Sequence, residues 1–171
     1  MRAVLIFAIL SLSTSVRAED PLVTRDQVRL NLAGAELALK AAKEKASEMK
    51  LKVNIAVVDD GGHLLAFARL DGARPASLYT AITKATSGAT LRAATGPLPV
   101  GIANPDPLLN LSVQNAAAAS GGKFTTLLGG VPIVVDGQVI GAVGVGGASG
   151  EQDAEIAKAG AQALAEKVSE K

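Results

Sequence analysis

The chain has 171 residues, with 17 lysines and arginines against 16 aspartates and glutamates, and aromatic residues make up only 2% of it. That length fits one domain with a single core, and a near-neutral charge without an aromatic-studded basic patch argues against a nucleic-acid partner. With no cysteine and one histidine, thiol catalysis, disulfides and any zinc site needing two imidazoles from one chain are excluded.

Residues 1–18 read as a signal peptide: Arg2 gives the positive start, Ala3 to Leu12 the apolar run, and Val16-Arg17-Ala18 the cleavage site. The apolar run is too short to span a bilayer. The sequence therefore predicts a periplasmic or secreted protein with no membrane insertion after cleavage and a single domain over residues 19–171. Losing Arg2 and Arg17 takes the formal charge from +1 to −1.

Thr24 and Gln27 match a capping box. Val28, Leu32, Ala35, Leu39, Ala42, Ala46 and Met49 then recur at three- and four-residue spacing, which predicts a long amphipathic helix starting at Thr24. Val53 to Val58 is apolar at nearly every position, the pattern of a strand covered on both faces. Asp59-Asp60-Gly61-Gly62 is turn chemistry, His63 to Leu70 a second strand, and Asp71-Gly72 its end. A helix over residues 77–94 follows. Prolines 97, 99, 105 and 107 then impose a loop, with Asp106 capping a helix that carries Pro107 at its first position.

Phe124 to Leu128 reads as a short strand. Val131 to Val135 and Val139 to Val145 flank Asp136-Gly137, a type I′ hairpin signal. Glycines 141, 144, 146 and 147 thin the last strand, through close packing, a bulge or backbone exposed to a ligand. Ser149 and Gln152 repeat the capping box ahead of a final amphipathic helix. The order α-β-β-α-α-β-β-β-α predicts an α+β domain, one antiparallel sheet of about five strands covered by helices.

The chain holds no phosphate loop and no nucleophile elbow. Chemistry is concentrated in the segment from Val53 to Gly88, which contains His63, Tyr79 and Lys84. His63 reads either as a surface or hydrogen-bonded residue or as an axial ligand to haem iron, which needs only one imidazole. Tyr79 is a second hard ligand for ferric iron, or a helix residue packed against the loop. Lys84 reads as the partner of Asp71 or Asp60 in a salt bridge, or as a base if desolvated. Arg69 and Arg74 bring guanidiniums that suit propionates, and they wall a predicted haem site at His63 together with Asp71, Gly72 and Tyr79.

The run from Ile55 to Ala73, with Ser77, Lys84-Ala85, the stretch Gly129 to Gly147 and Asp153, Ile156, Ala157 and Ala159-Gly160, resembles the GlcG/HbpS-like family of haem-binding or haem-degrading small proteins. The resemblance covers nearly all of the chain beyond the signal segment. It implies a five-stranded antiparallel sheet with surrounding helices, assembly into homo-oligomers and, for some members, haem or corrinoid association. It also adds, for some members, a threonine hydroxyl as a haem ligand, a role for which this chain offers Thr86 or Ser87. The chain departs from the family pattern at Leu70, Ser87-Gly88 and Gly146. Two functions are therefore expected: an exported haem- or tetrapyrrole-binding protein in haem handling or iron-related sensing, or an accessory protein or enzyme acting on a small hydroxy acid or diol, with Lys84, Asp71 and Arg69 as its polar groups.

Overall fold

The apolar run from Ile55 to Val58 belongs, in the computed structural model, to an interior strand covered on both faces. The structure describes Val23 and residues 26–170; the expected signal segment and Thr24 lie outside the described residues. The elements are α1 (Leu32–Glu48), β1 (Asn54–Asp59), β2 (Leu64–Arg69), α2 (Ser77–Thr90), α3 (Pro107–Ala119), β3 (Gly130–Val135), β4 (Gln138–Gly146) and α4 (Gly150–Ser169). The strands form one antiparallel sheet in the order β2-β1-β4-β3.

Side chains alternate across a strand, and here the alternation sorts the core into two layers. Ile55, Val57, Val143 and Val145 point to one face and pack on the alanine stripe of α1 (Ala35, Ala38, Ala42, Ala46) and on Ile156, Ala157 and Leu164 of α4. Ala56, Val58 and Ala142 point to the other and meet Ala81, Ala85 and Ala89 of α2. The second layer is made almost wholly of alanine and glycine, so α2 lies very close to β4. A methyl at Gly144 would collide with the Ala81 carbonyl and the Ala85 amide. At Gly144 and Gly146 the thinning of β4 is therefore close packing against a helix. It also explains how a chain so poor in aromatics fills its interior: small side chains and short interlayer distances replace bulk.

Local signals came out as expected where the chemistry is local. Asp136 and Gly137 take φ of 50° and 72°, the two positive values a type I′ turn needs. The Asp106 side chain accepts from the amides of Leu108 and Leu109 with Pro107 behind it, and Ser149 and Gln152 complete both halves of a capping box. Pro132 sits on β3, an edge strand, where its missing amide costs no ladder bond.

Three expectations are corrected. The sheet has four strands, not five. Phe124 to Leu128 is irregular because side chains take its backbone groups: the Thr125 amide donates to Ser87 Oγ at 2.9 Å, and the Leu127 carbonyl accepts from Thr95 Oγ1 at 2.6 Å. The first helix starts at Leu32, where the Asn31 side chain accepts from the Gly34 amide at 2.9 Å. Residues 26–31 run outside it, with the Val28 amide on Gln138 Oε1. Finally, α2 stops at Thr90 rather than residue 94, since Arg92 adopts a φ of 55° that no helix can continue through.

Candidate functional site

The tip of the β1–β2 hairpin is built around Asp59. Its Oδ1 accepts the backbone amides of Gly61 at 3.0 Å and His63 at 2.8 Å, which folds the Asp-Asp-Gly-Gly turn back on itself. The His63 imidazole swings over the same carboxylate, with Nδ1 3.2 Å from Oδ1 and 3.3 Å from Oδ2. In the tautomer that donates from Nδ1 to this carboxylate, Nε2 keeps its lone pair. The His63 side chain is 82% exposed, and that lone pair is accessible from solvent. Gly61 makes room for the ring, because a methyl there would sit 2.8 Å from His63 Cε1.

The turn rests on the C-terminal part of α2. The Thr86 hydroxyl donates to the Gly62 carbonyl at 3.1 Å, and Gly62, with φ of 81°, fits against Thr86 and Thr90 without a side chain. Thr86 is buried, and its hydroxyl proton is spent on the turn. Leu64, half exposed, begins β2 beside His63. Arg92, just past α2, shares a surface depression with Asp60 and with Gly137 and Gln138 of the next hairpin.

The other expected site residues stand at the opposite end of the hairpin. Arg69 closes β2, six residues beyond His63, a separation of about 20 Å along a strand. Asp71 and Gly72 form the following turn, and Arg74 donates from Nε to Ser77 Oγ at 2.8 Å. Its backbone carbonyl is held by Asn54 Nδ2 at 3.0 Å. Tyr79, 72% exposed, lies in the first turn of α2, about two helical turns from Thr86. Within one chain the structure thus brings His63 together with Thr86, but not with Arg69, Asp71, Gly72, Arg74 or Tyr79.

Lys84 belongs to neither group. It pairs with Asp153 of α4, Nζ to Oδ2 2.7 Å, and not with Asp71 or Asp60 as the sequence suggested. The two side chains are 5% and 2% exposed. The same ammonium donates to the Val145 carbonyl at 2.9 Å, and Asp153 Oδ1 accepts the Ala148 amide at 3.1 Å. The pair locks α2, the end of β4 and the start of α4 together. A narrow cleft of about 180 Å³ opens over it, bordered by Arg74, Thr80 and Leu128.

Asp59, partner of His63, and Asp153, partner of Lys84, are the two carboxylates that sequence reasoning missed. Asp59 was legible in principle, four residues before the one histidine across a glycine turn. Asp153 was not, since 69 positions separate it from Lys84. A hint lay on α2 itself: Lys84 is three residues from Ala81 and four from Gly88, on the face that small residues mark as buried. Among the described residues, no cluster of three or more histidines, aspartates or glutamates is arranged to hold a bare metal ion.

A small three-layer α+β protein carrying an exposed, carboxylate-oriented imidazole on a hairpin tip is the class that this fold and site define. The profile of the HbpS-like family, described as haem degrading protein HbpS-like, matches residues 30–162, and the chain belongs to that family. It is 40% identical to protein GlcG of Escherichia coli strain K12 over 121 residues, 71% of this chain and 84% of GlcG. The crystal structure of a double mutant of Streptomyces reticuli HbpS superposes with a TM-score of 0.67 at 32% identity, covering 86% of this chain and 99% of that one. A crystal structure described as a PduOC:heme complex matches with a TM-score of 0.65 at 26% identity, over 80% of this chain and 95% of its own.

Proposed function

We propose that this chain is an exported haem-binding protein for haem handling or iron-related sensing, with His63 as the iron ligand. The observation that carries this reading is the His63–Asp59 pair at the hairpin tip. A ligating histidine typically bonds its second nitrogen to a carboxylate, which fixes the ring and raises the basicity of the free nitrogen. Bound haem would supply the redox and ligand chemistry of its iron. The chain's own residues do the rest. Asp59 orients the imidazole, Thr86 and Gly62 hold the turn on α2, Leu64 offers apolar cover, and Arg92 offers a guanidinium to a propionate. The family description and the haem complex among the similar structures support the same ligand class.

The tip is open, so one face of a haem there needs cover from elsewhere. A second copy of the chain is the proposed source, and it is the means by which Arg69, Arg74 or Tyr79 could approach a haem on His63. The α3 helix gives such an assembly an apolar surface, with Leu108 76% exposed and Leu111 55% exposed. A haemin titration followed at the Soret band tests the reading. Saturable binding with a defined stoichiometry is expected. Absence of saturable binding overturns it and leaves the accessory protein or enzyme for a small hydroxy acid or diol as the reading to test. Export has its own test, since mass spectrometry of protein from the native host should find a chain starting at Glu19, and an intact Met1 would contradict it.

A further inference from the structure

The narrow cleft above the Lys84–Asp153 pair does not include His63 in its lining. We infer that it binds a small monocarboxylate, with Lys84 and Arg74 as its charge partners. Two cations and one carboxylate border it, leaving one positive charge in surplus. Both Asp153 oxygens are already committed, Oδ2 to Lys84 and Oδ1 to the Ala148 amide. Lys84 has three N–H donors; two are spent, on Asp153 and on the Val145 carbonyl. The third has no partner among the described residues, and the side chain lines the cleft. A buried ammonium with one donor unspent gains most from an anionic acceptor.

Arg74 supplies the second anchor. Its Nε bond to Ser77 Oγ and the Asn54 bond to its carbonyl hold the residue in place. Its terminal nitrogens have no partner among the described residues and present the planar fork that matches a carboxylate. The backbone around the pair leaves the space open. A methyl at Gly129 would fall 3.0 Å from Lys84 Nζ and 2.7 Å from Asp153 Cβ, so a side chain at that position would crowd the ammonium.

Size and lining narrow the ligand. About 180 Å³ is the share of roughly six waters at ~30 Å³ each, enough for a short-chain acid and far too little for a tetrapyrrole. Leu127, Leu128 and Ala148 form an apolar side for a short alkyl group. A dianion such as phosphate would bring more charge than the single surplus cation balances.

The test is an NMR titration of haem-free, 15N-labelled protein with sodium propionate at constant ionic strength, with sodium chloride and inorganic phosphate in parallel. Saturable shifts of the Gly147, Ala148 and Gly150 amides with propionate are expected, and Arg74→Gln should weaken binding about tenfold. Lys84→Met should abolish it where the variant folds; because that variant is expected to be unstable, Arg74→Gln carries the decision. Shifts that chloride reproduces, an Arg74→Gln variant that titrates like the parent, or phosphate binding as tightly as propionate would each overturn the inference. The measurement uses no haem, so its outcome is independent of whether His63 binds iron.

Discussion

The molecule carries two cation–carboxylate pairs that are chemically alike and physically opposite. His63 and Asp59 sit on a hairpin tip with side chains 82% and 30% exposed, whereas Lys84 and Asp153 are 5% and 2% exposed between α2, β4 and α4. At the tip, water can replace either partner, so the pair contributes little to stability. In the interior both partners are nearly closed off from water, which reaches them only through the narrow cleft. Removing one leaves an uncompensated charge, and the pair becomes a structural tie whether or not it also serves a ligand. Burial, more than residue type, separates the two roles.

The sharpest way to break that contrast is to remove one buried partner. Lys84→Met or Asp153→Asn should each destabilise by about 3–5 kcal/mol in urea denaturation, and the double replacement Lys84→Met/Asp153→Leu should recover much of the loss. A single variant within about 0.5 kcal/mol of the parent would show that the buried pair behaves like the exposed one. Next in size is the layer that supports the pair. Gly144→Ala pushes a methyl into the backbone of α2 and should cost about 1–3 kcal/mol as overpacking, read from the denaturation midpoint.

At the exposed pair the effect moves from stability to binding. Asp59→Asn removes the carboxylate that fixes the imidazole and should weaken haemin binding about tenfold, ~1.4 kcal/mol. Unchanged affinity would mean that ring orientation does not matter there. The smallest effect belongs to Lys45 and Glu155, 2.7 Å apart, which join α1 to α4 at the surface. The Glu155 carboxylate, by hydrogen bond and charge, raises the Lys45 amine above its ordinary 10.5. A raised pKa stabilises the fold below the unfolded value, and that contribution is lost as pH rises through the folded one. Glu155→Gln should therefore lower the thermal midpoint slightly at neutral pH, and the difference from the parent should fade above pH 10.5.

What could be read from the sequence follows the range of each interaction. The β3–β4 hairpin, both Asp106 and Ser149 caps and the doubly covered β1 were legible because residues a few positions apart determine them. The extra strand at Phe124 to Leu128 was not, because its backbone is claimed by Ser87 and Thr95, more than thirty positions away. The start of α1 was misplaced since Thr24 and Asn31 offer equivalent capping chemistry, and the structure uses Asn31. At the site, His63 stood out as the single histidine. Its grouping with Arg69, Arg74 and Tyr79 treated a strand and a helix as though they were one loop, when β2 and α2 hold those residues apart. The role of Lys84 turned on a partner in α4 that no local pattern names.

Whether His63, the exposed imidazole held by Asp59, is the haem ligand is decided by one comparison of variants. Haemin titrations of the parent, His63→Ala and Tyr79→Phe proteins, followed at the Soret band, should give a shifted band and about tenfold or greater loss of affinity for His63→Ala alone. Tyr79→Phe should match the parent. An unaltered Soret band and affinity in His63→Ala would contradict the account, and the reverse pattern would move the ligand to Tyr79.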